Sequence, residues 1–170
     1  MENGELQYYD YKNMIMIALK AEEYAWAEKA LYDFKQYLPE KDRENIFNYN
    51  LAIYYFRRGN YDDAMPLLQL VTLNDVLYNL DSRRMLARIY FDTDEIMPLQ
   101  SLIESSKVYL HRQKDIGYHH DMYANFFRYL DRMMKNDLKN PDFCANLLAE
   151  VEKTQLLAER DWMIETLKKG

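Results

Sequence analysis

The sequence has little of several residue types on which particular protein classes depend. One cysteine among 170 residues, Cys144, excludes an internal disulfide and fits a reducing compartment such as the cytoplasm. Four glycines and four prolines leave long stretches without a helix breaker, and β-branched residues are few. We therefore expect a single all-α domain over residues 1–170, long enough to bury a real core.

Long apolar runs are also scarce, and the 28 acidic residues outnumber the 22 basic ones. No run approaches the roughly 20 apolar residues of a membrane span. The short apolar run at residues 14–19 follows Glu2, Glu5 and Asp10, which argues against a signal peptide. The net charge of −6 argues against nucleic acid or an anionic membrane as the main partner.

Residues that often carry chemistry lack partners at suitable spacing. His119, His120 and Asp121, with His111 nearby, form a ligand-like cluster, but adjacent helical residues point about 100° apart and do not face one ion. No Cys-His signature surrounds Cys144, and no Gly-rich phosphate loop, Ser nucleophile elbow or His-Glu-x-x-His motif occurs. We predict no metal site, no cofactor and no catalytic residue. An enzyme would need a converging polar pocket that the sequence does not indicate.

The clearest pattern lies in residues 45–71. Apolar residues follow one another there at three- and four-residue steps, which is typical of a helix: Ile46, Tyr49, Ile53 and Phe56. Gly59 can adopt a positive φ and turn the chain. A second helix then begins at Asn60 or Tyr61, and the small Ala64 lets the two backbones approach closely. Pro66 is expected near the first turn of that helix.

This helical hairpin resembles a tetratricopeptide repeat (TPR), a pattern of about 34 residues. The matching residues are Leu51, Ala52, Tyr55, Gly59, Tyr61, Ala64 and Leu68. The departures are Asn48 in place of Trp, Val71 in place of Ala, and Val76 in place of Pro. The resemblance implies a right-handed α-α superhelix of antiparallel helix pairs.

The rest of the chain divides around this best repeat, which covers residues 42–74. Asp42 is expected to cap the first helix of the repeat. Residues 7–40 form a weak repeat, with helices over 7–20 and 24–38 and with Glu22 or Glu23 in place of the turn glycine. Residues 75–111 form a third repeat, because Leu86-Ala87 and Met97-Pro98-Leu99 echo Leu51-Ala52 and Met65-Pro66-Leu67. Residues 115–170 form divergent C-terminal helices, one of them starting at Asn140-Pro141.

The resemblance also implies a binding surface, because the first helix of each TPR pair lines a concave groove. The corresponding positions here are Tyr9, Lys12, Met16, Lys20, Ile46, Tyr49, Ile53, Arg57, Arg84 and Arg88. Aromatic residues mixed with cations suit an acidic peptide or helix with apolar anchors. The expected partner is therefore a protein or peptide, and the chain would act as a scaffold, alone or within a larger TPR protein.

Two other interpretations concern the same helices. One TPR subclass holds carboxy-terminal tails through a clamp of Lys and Asn, and Lys12 and Asn50 stand at two of those places. Met16, Asp81 and Met85 occupy the others, so most of the clamp is missing. The alternative function is a nucleic-acid-binding or regulatory helical domain that uses a stripe of arginines. That stripe comprises Arg57, Arg58, Arg83, Arg84 and Arg88, and the same residues also fit a solvated helix face.

Overall fold

A computed structural model describes residues 5–71, 75–113 and 115–170, and these residues form nine α-helices. The all-α class predicted from the composition is confirmed. The helices are α1 (Tyr8–Lys20), α2 (Tyr24–Lys35), α3 (Arg43–Arg57), α4 (Tyr61–Gln69), α5 (Val76–Asp92), α6 (Ile96–Arg112), α7 (Tyr118–Lys135), α8 (Pro141–Lys153) and α9 (Arg160–Lys169).

The chain forms two compact units, residues 1–86 and 87–170, and the division falls within α5. In the first unit α1 packs on α2 and α3, α2 packs on α3, and α3 packs on α4. In the second unit α6 packs on α7, and α8 packs on α9. The single domain expected from the chain length stays a prediction.

Helix α3 is the centre of the first unit. Nine of its residues are buried: Ile46, Phe47, Tyr49, Asn50, Leu51, Ala52, Ile53, Tyr54 and Phe56. A helix that is buried almost all round must be covered on several sides, and α1, α2 and α4 all contact α3. The packing of α1 on α2 also satisfies a buried hydroxyl, because Tyr11 Oη donates to the Leu31 carbonyl at 2.6 Å.

Three helix-to-helix turns share one backbone geometry, although only one of them contains glycine. Glu22, Gly59 and Asp94 have φ values of 60°, 74° and 59°. The next residue in each turn donates its N–H to the carbonyl five residues back, as in a Schellman motif. These bonds join Glu23 to Ala18 at 2.9 Å, Asn60 to Tyr55 at 2.9 Å, and Glu95 to Tyr90 at 2.8 Å.

The same register extends into the helices on either side of each turn. The fifth residue after the positive-φ residue is fully buried in all three cases: Ala27, Ala64 and Leu99. The ninth residue is buried as well: Leu31, Leu68 and Ile103. Seven residues before Gly59 and Asp94 lie Ala52 and Ala87, both fully buried. The echo of Leu-Ala in the sequence therefore marks equivalent positions.

The structure corrects three local predictions and confirms a fourth. Pro66 is the sixth residue of α4, beyond the first turn, so its missing N–H removes an intrahelical hydrogen bond. Helix α2 ends at Lys35, before the expected position 38. Asp42 is the N-cap residue of α3, but its side chain makes no capping hydrogen bond. Asn140 does cap α8, because its Oδ1 accepts from the N–H groups of Asp142 and Phe143.

Candidate binding site

Helices α1, α3 and α5 bring three polar side chains together around Asp81 in the first unit. Tyr49 Oη donates to Asp81 Oδ2 at 2.5 Å. Arg84 Nε donates to Asp81 Oδ1 at 2.9 Å, and Arg84 Nη2 lies 2.8 Å from the same oxygen. Lys12 Nζ lies 3.7 Å from Asp81 Oδ2. We call Lys12, Tyr49, Asp81 and Arg84 the Asp81 cluster.

Two pKa shifts describe the electrostatics of this cluster. Burial alone raises the pKa of Asp81, but the charges of Arg84 and Lys12 and the hydrogen bonds from Tyr49 and Arg84 outweigh it and lower the pKa to about 2. Burial, and then the Asp81 carboxylate, raise the pKa of Tyr49 well above its ordinary value. Asp81 is therefore an anion, and Tyr49 is a neutral hydroxyl that donates to it.

Aromatic rings surround the two cations of the Asp81 cluster. Lys12 Nζ lies 4.5 Å from the ring centroid of Tyr78 and 5.1 Å from that of Tyr49. The guanidinium of Arg84 lies 5.6 Å from the ring centroid of Phe56. These distances allow cation–π attraction in addition to the ion pairs. Both cations are thus held in place by groups of the same unit.

The structure separates the predicted groove residues into exposed and buried sets. Tyr9, Lys20 and Arg57 are exposed, and Lys12, Met16, Arg84 and Arg88 are partly buried. Ile46, Tyr49 and Ile53 are buried, with at most 4% of their surface exposed. Only the exposed and partly buried residues have side-chain surface for a partner without rearrangement. The binding role assigned to the whole set stays a prediction.

Arg88 belongs to a different arrangement, within the second unit. Its Nη1 donates to Glu159 Oε2 at 2.7 Å, and its Nε lies 3.5 Å from Asp92 Oδ2. The guanidinium also lies 5.2 Å from the ring centroid of Trp162, whose Nε1 donates to Asp92 at 3.2 Å. Arg84 and Arg88 thus both have carboxylate partners, although the arginine-stripe interpretation requires them to meet phosphates.

The two clamp-like residues also have internal partners. Lys12 lies beside Asp81, as described above. Asn50 is fully buried, and its Nδ2 donates to the carbonyl of Ile46 at 2.8 Å. A buried amide that bonds to its own helix has no surface to offer a peptide tail. The structure therefore adds no support for a carboxylate clamp.

The other candidate chemical groups lie in ordinary surroundings. His120 Nδ1 lies 3.3 Å from Asp121 Oδ1, and no three His, Cys, Asp or Glu residues in the described ranges are grouped so as to hold a metal ion. The thiol of Cys144 is buried and donates to the Leu138 carbonyl at 3.1 Å. Within the described part of the chain, no helix combines the length and apolar character required to cross a membrane.

Comparisons with known proteins found no matching family model, no matching curated protein and no matching solved structure.

Sequence reasoning overlooked two features of the first unit. The clamp pattern marks Asp81 only as a departure. Its position three residues before Arg84 is nevertheless a common signal for an ion pair within a helix. An open apolar groove between α1 and α2 was not predicted at all. Its one sequence signal is Ile17, an apolar residue outside the buried stripe of α1, which comprises Tyr11, Ile15, Ala18 and Leu19.

Proposed function

We propose that this protein is a TPR-like interaction module that holds a peptide or helix of another protein. In this proposal the helix pairs α1–α2, α3–α4 and α5–α6 are three TPR-like repeats of a right-handed superhelix. The observation that carries it is the convergence of α1, α3 and α5, the first helices of the three pairs, on the Asp81 cluster. The proposed site of action is a reducing compartment such as the cytoplasm.

The three equivalent turns give further support. Their matching hydrogen bonds and buried positions recur 37 and 35 residues apart, close to the period of about 34 in a TPR. Recurrence at a fixed period is the property that defines a helical repeat protein. It supports the repeat assignment independently of the Asp81 cluster.

The proposed surface includes fewer residues than the groove positions that the TPR resemblance implies. Tyr9, Lys20 and Arg57 are the exposed members, and they would contact the partner directly. Lys12 and Arg84 would support the surface, since Asp81 already pairs with both. Exposed cations together with an exposed aromatic side chain favour a partner segment that carries carboxylates and an apolar anchor.

Affinity capture from the source cell tests the proposal. The bait is the wild-type chain or the triple variant Tyr9→Ala, Lys20→Glu, Arg57→Glu, which we call the surface variant. The control is Lys41→Glu, Lys139→Glu, which makes the same charge change at two other exposed residues. We expect to find a protein that the wild type and the control both retain. The surface variant should retain about tenfold less of it, or still less. Equal retention by all three baits would exclude this surface.

A further inference from the structure

An open groove of about 600 Å³ lies between α1 and the start of α2, with an apolar floor. The floor consists of Met14, Ile17, Ala18, Ala21 and Trp26. Ile17 is 68% exposed and Trp26 is 48% exposed, so two large apolar side chains of this floor face solvent. Large exposed apolar side chains that are grouped in this way are typical of an interaction site.

The charged residues that line the groove are all acidic. They are Asp10 in the first turn of α1 and Glu23 at the N-cap of α2. Both are exposed, and neither forms an ion pair within the described ranges. An apolar floor between two carboxylates that have no ion-pair partner among the described residues matches a ligand with an apolar centre and a cation at each end.

The length of α1 sets the spacing of those cations. Asp10 lies in the first turn of α1, and Ala21 is its C-cap residue. The helical rise per residue separates the backbones of these two residues by about 17 Å. A bound helix that runs along α1 spans the same distance in about three turns. Its apolar residues must recur every three or four positions to form one stripe.

We propose that the α1–α2 groove binds an amphipathic helix of a partner protein, with a stripe of large apolar residues between two lysines or arginines about three turns apart. This surface is separate from the one proposed above and has the opposite charge. Ile17 and Trp26 are the apolar anchors on this protein, and Asp10 and Glu23 select the cations. A second copy of the chain is a poor occupant, because its net charge of −6 is repelled by the acidic rim.

Binding of synthetic helical peptides tests the assignment. The probes share one stripe of leucines, lack tryptophan, and carry lysines about two, three or four turns apart. A matched set has glutamate in place of each lysine. Fluorescence anisotropy of labelled peptides gives the affinity, and the emission of half-exposed Trp26 should shift to shorter wavelength on binding. We expect the peptide with three-turn spacing to bind tightest, at least about tenfold better than its glutamate counterpart.

Substitutions at exposed residues test whether the peptide binds in the groove and whether its preference for lysine over glutamate can be reversed. Ile17→Ser and Trp26→Ala should each weaken the lysine peptide by about tenfold or more. Asp10→Lys with Glu23→Lys should make the protein prefer the glutamate peptide. Val108→Ser and Lys139→Glu, at exposed residues outside the groove, should leave binding unchanged.

Three results would overturn the proposal. The first is no binding of any lysine peptide at concentrations up to about 1 mM, or equal binding of the lysine and glutamate sets. The second is a dimer in sedimentation equilibrium that Ile17→Ser dissociates, which would make a second copy the occupant. The third is acrylamide quenching that finds Trp26 shielded in the isolated chain at every protein concentration, which would mean that the chain itself covers the groove.

Discussion

Arg84 and Arg88 lie one turn apart on α5, yet carboxylates neutralise them in different ways. Arg84 pairs with Asp81 on its own helix, within a cluster that Lys12 and Tyr49 complete from α1 and α3. Arg88 pairs with Glu159, a residue 71 positions later in the sequence. Two cations of one predicted stripe therefore belong to two separate packing arrangements.

The backbone of the two carboxylate residues also differs. Asp81 lies inside a regular helix, whereas Glu159 has a φ of 54° in the left-handed region. A residue with a side chain is strained there by about 1–2 kcal/mol. The Glu159–Arg88 pair therefore stabilises a backbone conformation that is itself unfavourable. Substitutions at Asp81 and Glu159 measure how far the two ion pairs differ in their contribution to the free energy of unfolding.

The largest effect is expected for Asp81→Ala. This change removes the acceptor that the Arg84 guanidinium and the Tyr49 hydroxyl share, in a site where the Asp81 side chain is 18% exposed. We expect a loss of about 2–4 kcal/mol in the free energy of unfolding, measured by urea denaturation. Asp81→Asn keeps an acceptor oxygen and should cost less. A loss below about 0.5 kcal/mol would mean that the cluster contributes little to stability.

A smaller loss is expected for Glu159→Ala. The change removes a charged hydrogen bond from Arg88 but leaves Asp92 beside the guanidinium, so we expect a cost of about 1.5–3 kcal/mol. Glu159→Gly removes the same bond and also relieves the backbone strain, so it should cost about 1 kcal/mol less than alanine. Urea denaturation of both variants measures the difference. Equal stability of the two would contradict the strain at this residue.

Acid should weaken the Asp81 cluster over a defined pH range. The folded-state pKa of about 2 lies below the ordinary value of 3.8, so the unfolded state binds the proton more tightly. The stabilisation is complete above about pH 4 and is lost as the pH falls towards 2, an effect of about 2 kcal/mol. The difference in unfolding free energy between wild type and Asp81→Asn should shrink over this range. A constant difference would contradict the lowered pKa.

The smallest effects are expected at the three equivalent turns. No atom beyond the two adjacent residues lies within 4 Å of a Cβ added at Gly59, so Gly59→Ala should cost only the conformational strain of about 1 kcal/mol. Glu22→Gly in the first unit and Asp94→Gly in the second should each gain about 0.5–1 kcal/mol for the same reason. Thermal unfolding measures all three. A loss of stability at Glu22 or Asp94 would show that its side chain contributes more than the strain costs.

Local signals in the sequence predicted much of the helical structure. Gly59 was expected to end a helix with a positive φ, and it does so at 74°. Asn140-Pro141 was expected to start a helix, and Asn140 caps α8 with its side chain. These signals are reliable because a glycine in a turn or an amide at a helix start acts on neighbouring backbone atoms alone.

The turns at Glu22 and Asp94 were harder to predict. Neither residue is a glycine, so the sequence predicted a turn at each place without indicating its positive φ. Burial of equivalent positions on both sides of each turn, such as Ala27 and Leu99, accompanies the same geometry. Packing of the flanking helices can impose a strained turn that the turn residue itself does not prefer.

The helical class, the positions of most helices and the Leu-Ala echo can be read from the chain alone, because periodicity, caps and small residues act over a few positions. The burial of Tyr49 and Ile53, the neutralisation of Lys12 and Arg84 by Asp81, and the open groove at Ile17 and Trp26 became visible only in the folded protein. Burial and charge pairing depend on which helices meet, and residues far apart in the chain determine those contacts.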